Sequence, residues 1–134
     1  MSDYLDDLKE KTRKTAEKYF NGQPGESAYD LWRFFDKDLA KEISMHYTGR
    51  LYAREKIPHT TRQLAAVAAL TVLERTDELR SHIWAGLNVG CTSEEIAEVI
   101  FQVGTYGGIP VVNTALKVLR DVLKERKEVH PEAL

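Results

Sequence analysis

The stretch from Leu64 to Leu73 constrains this chain most. Leu64, Ala65, Ala66, Val67, Ala68, Ala69, Leu70, Val72 and Leu73 make a helix that is apolar on three sides. Such a helix has almost no face to offer water, so it belongs in the middle of a bundle or at a subunit contact. It falls well short of the roughly 20 apolar residues that cross a bilayer. His59 or Thr60 is placed to open it, and the pattern runs on to about Arg75.

Around it, helical periodicity dominates; clean period-two alternation is absent, and no Asn-Gly turn joins two strand-like runs into a hairpin. Residues 3–19 are charged with a thin apolar stripe (Tyr4, Leu5, Leu8, Thr12, Thr15 and Tyr19), the pattern of a surface helix. Asn21-Gly22-Gln23-Pro24-Gly25 is a break. Residues 27–53 are helical again, with Leu31, Phe34, Phe35, Leu39, Ile43, Met45 and Tyr47 available for burial. Asp36 is placed to cap a fresh start within this region, and Gly49 to bend or end its last part. Thr76 or Asp77 caps the next helix, which Gly90 stops in a left-handed conformation. Thr92-Ser93-Glu94-Glu95 carries the capping-box signature of another helix, through about Tyr106. Gly107-Gly108-Ile109-Pro110 breaks the chain, with proline in the first turn of a last helix to about Arg126. The expectation is an all-α, single-domain antiparallel bundle of about six helices over residues 1–134. Residues 1–24 form its N-terminal helix and break, and residues 128–134 a frayed tail.

The formal net charge of −2 favours neither nucleic acid nor an anionic membrane as partner. The acidic segment Met1–Asp7 lacks the basic-then-apolar plan of a signal peptide, so the expected location is cytoplasmic. One cysteine, Cys91, makes no internal disulfide, and the four histidines (His46, His59, His82 and His130) lack zinc-ligand spacing. No glycine-rich phosphate loop is present, so no metal and no cofactor is expected.

The chemistry concentrates in Glu78-Leu79-Arg80-Ser81-His82. Helix geometry puts positions i and i+4 side by side, so Glu78 is placed to orient or charge His82 within an otherwise apolar region. An acid–base pair set into an apolar bundle is what proton transfer without a cofactor needs.

Several blocks, in order, carry a resemblance. They are Phe35-Asp36-Lys37-Asp38-Leu39, Gly49-Arg50-Leu51-Tyr52, Thr61-Arg62-Gln63-Leu64, Asp77 to His82, Ala85-Gly86-Leu87-Asn88-Val89-Gly90, and Glu95-Ile96 with Tyr106-Gly107-Gly108-Ile109-Pro110. In these the chain resembles the gamma-carboxymuconolactone decarboxylase family, with a family core at about residues 31–123. The related alkylhydroperoxidase branch carries a redox Cys-x-x-Cys with a histidine four residues after it. Arg75 and Glu78 stand at those cysteine positions here, with His82 retained, so the dithiol chemistry is absent and the decarboxylase branch is implied. Val89 stands where decarboxylases often have a second asparagine, and Tyr52 where tryptophan is frequent.

The resemblance implies a cofactor-independent decarboxylase of aromatic degradation, assembled as a homo-oligomer (trimer or hexamer) and acting on a small molecule. The implied substrate is a butenolide with a carboxylate on the ring carbon next to oxygen and an acetate arm. Its conjugated lactone carbonyl is its own electron sink. The enzyme must hold two carboxylates, stabilise the enolate-like oxygen and deliver a proton to carbon. In this scheme His82 is the proton donor and Glu78 raises its imidazolium population. Arg62 clamps a carboxylate, Tyr106 donates to the developing oxyanion, and Tyr52 or Trp84 walls the pocket. Two other readings compete: a non-catalytic oligomer that binds a metabolite or protein, and a peroxide-handling protein using Cys91 with a partner thiol.

Overall fold

The computed structural model describes residues 2–133, so Met1 and Leu134, the ends of the expected domain and tail, lie outside the described residues. The chain is all-α. Its helices are α1 (Ser2–Phe20), α2 (Ala28–Phe35), α3 (Lys37–Ser44), a π-helical segment (Met45–Tyr52), α4 (His59–Val72), α5 (Thr76–Val89), α6 (Ser93–Gly107) and α7 (Ile109–Glu125). A single 3-10 turn, Pro131–Ala133, follows in the tail. None of the described helices is long and apolar enough to cross a membrane. The chain divides into two compact units at the Ile57–Pro58 link.

In the first unit α1 packs on the π-helical segment, and α3 packs on both that segment and α2. Leu8, Thr15, Tyr19, Ala40 and Gly49 are its buried residues. Gly49 neither bends nor ends the helix here; it lies inside the π-helical segment, where a Cβ would run into Thr12 and Leu8 of α1. The glycine serves close helix approach. Asp36 caps α3 as its position suggests, its carboxylate accepting from Leu39 N at 2.9 Å. The burial expected around it is not found. Leu31, Phe34, Phe35 and Leu39 are exposed, and α2 buries none of its residues.

The second unit is a four-helix arrangement in which α4 packs on α5 and α6, and α7 on α6 and α5. Val67, Leu79, Ile83, Trp84, Ile96, Ile100, Val112, Ala115, Leu119 and Val122 share its core. The capping box of α6 is complete: Glu95 N donates to Thr92 Oγ1 at 3.0 Å, and Thr92 N to Glu95 Oε1 at 2.9 Å. Pro110 opens α7, and Gly90 ends α5 at φ 112°. Thr76 and Asp77 do not cap α5 through their side chains. Arg75 holds that position, which leaves Asp77 and Glu78 in the first turn, where the helix N-terminus favours negative charge.

Helix α4 departs from expectation twice. It stops at Val72 rather than continuing to Arg75, because Glu74 takes a left-handed conformation (φ 56°). Arg75 N then donates to Leu70 O and Glu74 N to Thr71 O, closing the helix in a Schellman turn. Its buried residues are Gln63, Val67 and Thr71, one line along a single face, two of them polar. Ala65, Ala69, Val72 and Leu73, expected inside, are exposed.

Candidate functional site

Gln63, the first member of the line Gln63–Val67–Thr71, meets the histidine singled out above on α5. Gln63 is fully buried (0% exposed), with its amide Nε2 at 3.0 Å from His82 Nδ1 and 3.2 Å from the His82 carbonyl oxygen. His82 itself is half-buried beside Ile83, which is wholly inside the core. Burial pushes the imidazole pKa below its ordinary value, and the charge of Glu78, one turn earlier on α5, pulls it back only in part. Glu78 favours the imidazolium, as its spacing implies, but burial outweighs it and the net direction is down. Glu78 is exposed in the first turn of α5 and acts on the ring through its charge.

The other candidates are less concentrated. Arg62 is half-buried on α4, but as the neighbour of Gln63 in sequence it points to a different side of the helix. Trp84, two residues after His82, lies roughly 200° around the helix from it. There it is buried in the core, with the Arg126 guanidinium 4.6 Å above its ring. Arg126 also donates to Asn88 Oδ1 at 2.9 Å, so Trp84 and Asn88 together hold the end of α7. Tyr106 ends α6 with 77% of its surface exposed. Tyr52 belongs to the first unit, where its ring packs edge-on against Tyr19 at 5.3 Å between centroids. The first unit also carries an open depression of about 440 Å³ lined by Asp30, Arg33, Phe34 and Lys37, which holds no histidine.

Sequence reading passed over Gln63. It sits inside a quoted block, but no role attaches to a glutamine from composition alone. The available signal was its spacing: Gln63, Val67 and Thr71 repeat every four residues, so a polar side chain shares the inward stripe of an apolar helix.

Cys91 is buried behind the end of α5, with Sγ 3.4 Å from the Thr60 carbonyl. Burial, reinforced by the charge of Glu95, pushes its pKa up to about 11. A thiol of that pKa is almost wholly protonated at neutral pH, and the thiolate is the reactive form. Native protein treated with iodoacetamide near neutrality is therefore expected to keep Cys91 unmodified, while the urea-unfolded chain alkylates fully by mass spectrometry. Rapid native labelling would restore the thiol reading. Among the described residues no group of three or more His, Cys, Asp or Glu side chains is arranged to hold a metal ion.

The model of the "Carboxymuconolactone decarboxylase family" matches residues 38–121. The chain is 34% identical over 122 residues to the 4-carboxymuconolactone decarboxylase of Acinetobacter baylyi, covering 91% of this chain and 87% of that protein. It is also 37% identical over 82 residues to an uncharacterized 15.0 kDa protein of Paracoccus denitrificans, covering 60% of this chain and 61% of that one.

Proposed function

The chain belongs to the carboxymuconolactone decarboxylase family, and from this premise we propose that it is a carboxy-lyase acting on a small dicarboxylated lactone. The observation that carries the reading is His82: a half-buried imidazole, held by a buried amide, with a carboxylate one helical turn away. In the proposed reaction the bond between the ring carbon and its carboxylate breaks and CO2 leaves. The electron pair runs through the conjugated ring onto the lactone carbonyl oxygen, and the carbon then takes a proton drawn from water. No external electron sink takes part.

The neutral His82 ring donates its N–H as a hydrogen bond to the oxygen on which charge develops, while water supplies the proton to carbon. A neutral imidazole serving as electrophile in this way is known chemistry when surroundings lower its pKa. Arg62 supplies the fork for a substrate carboxylate, its planar guanidinium being suited to bidentate contact. Glu78 biases the site electrostatically from the first turn of α5.

The same proposal includes assembly as a homo-oligomer, supported by the exposed apolar residues Val72, Leu73, Tyr106 and Ile109 at one end of the second unit. Val72 lies against the position of Gly107, which makes this patch continuous. Tyr106 stands within it, so its proposed contact with the oxyanion belongs to the assembled protein.

The direct test is a spectrophotometric assay of gamma-carboxymuconolactone loss with purified protein. CO2 release matched to loss of the lactone chromophore supports the reading. No turnover with this lactone or its close dicarboxylate analogues would overturn it.

A further inference from the structure

Gln63 is a costly residue to place where it is. It is fully buried among apolar neighbours, and its Oε1 has no hydrogen-bond partner among the described residues. Burying half an amide unsatisfied is unfavourable, so packing alone would be better served by leucine or methionine at this position. Its other half is fully used, and both contacts go to one residue, His82.

The pair of contacts fixes the chemistry of the ring. The His82 carbonyl oxygen only accepts, so the end of the amide facing it at 3.2 Å must be the donor, Nε2. Turning the amide over would set two oxygens against each other. With Nε2–H also directed at Nδ1 across 3.0 Å, Nδ1 must present its lone pair, and the proton of the neutral ring is on Nε2. Gln63, the α4 residue that contacts the ring, is thus uncharged. The charge acting on the ring is that of Glu78 on its own helix, and the face of α7 buried in the same core is apolar (Val112, Ala115 and Leu119).

We propose that Gln63 is the positioning residue of the site, holding His82 as the Nε2–H tautomer so that this nitrogen acts as a hydrogen-bond donor and not as a base. This rests on the reading of His82 as the reacting group. The identity of residue 63 then selects the chemistry. A carboxylate there would accept from Nδ1–H and turn the Nε2 lone pair outward, converting donor into base. An apolar residue would leave the tautomer unselected.

The test is long-range 1H–15N spectroscopy of protein labelled at histidine nitrogen, at slightly alkaline pH, with His82→Asn to assign the resonance among the four histidines. Wild type should show Nδ1 at the unprotonated shift and Nε2 at the protonated shift. In Gln63→Met both nitrogens should move to averaged values, and in Gln63→Glu the proton should shift to Nδ1. Turnover of the lactone should fall at least about tenfold in kcat in both variants, with KM little changed. A wild-type spectrum with Nδ1 protonated, or a Gln63→Met spectrum identical to wild type, overturns the proposal. The tautomer is read without substrate. An inactive protein with the expected spectrum therefore counts against the decarboxylase reading alone, and an active protein with the wrong spectrum against the role of Gln63 alone.

Discussion

His82→Ala is expected to lower kcat for the lactone by at least about a hundredfold while leaving the helical fold intact. The magnitude is that of losing a positioned proton-handling side chain, commonly worth two to four powers of ten. The fold should survive because the ring is only half-buried, and Gln63 keeps its bond to the residue 82 carbonyl whatever the side chain. Far-ultraviolet circular dichroism and size measurements check that part. The pH profile of the unsubstituted protein carries the sign. Burial holds the His82 pKa below its ordinary value, so the neutral ring prevails above it and the imidazolium below it. With the neutral Nε2–H form active, kcat/KM should be level through neutrality and fall as pH drops through this lowered pKa. A profile that instead falls as pH rises would mean the imidazolium is the working acid. Near-normal turnover in His82→Ala would remove His82 from the mechanism altogether.

The parts of this molecule that were legible in its sequence are those where one residue type performs one local job. Gly90 in a left-handed stop, the reciprocal bonds of Thr92 and Glu95, Pro110 in a first turn and Asp36 as a cap all act within a few residues of themselves. The end of α4 was hidden because its Schellman turn is made by Glu74, and a glutamate at positive φ gives no sign in sequence. The i,i+4 pairing of Glu78 and His82 was visible because helix periodicity alone creates it. The direction of the His82 pKa was not, since it depends on how deeply the fold buries the ring. Gln63 was hidden for the same reason. Its meaning lies in a contact across 19 positions of sequence, made by a different helix.

Burial rather than side-chain size decides which hydrophobic residues matter for stability, and two substitutions separate them. Ile100→Ala is expected to destabilise the protein by about 2–5 kcal/mol, the range for truncating a buried aliphatic side chain and leaving a cavity. Ile100 is fully buried (0% exposed) on α6, within the cluster that includes Ile83, Ile96 and Val112, and close packing there leaves little slack for collapse. Against a typical domain stability of roughly 5–15 kcal/mol the loss is large, and Tm should fall by about 10 °C or more. Phe34→Ser, which removes a bigger apolar side chain, should change stability by no more than about 0.5 kcal/mol, since Phe34 is 82% exposed on a helix that buries nothing. Urea unfolding of both variants at matched protein concentration checks the pair, with an unchanged slope in Ile100→Ala indicating loss of stability alone. A loss in Phe34→Ser comparable to that in Ile100→Ala would show that the face of α2 is covered in solution. Ile100 within about 0.5 kcal/mol of wild type would contradict the core described above.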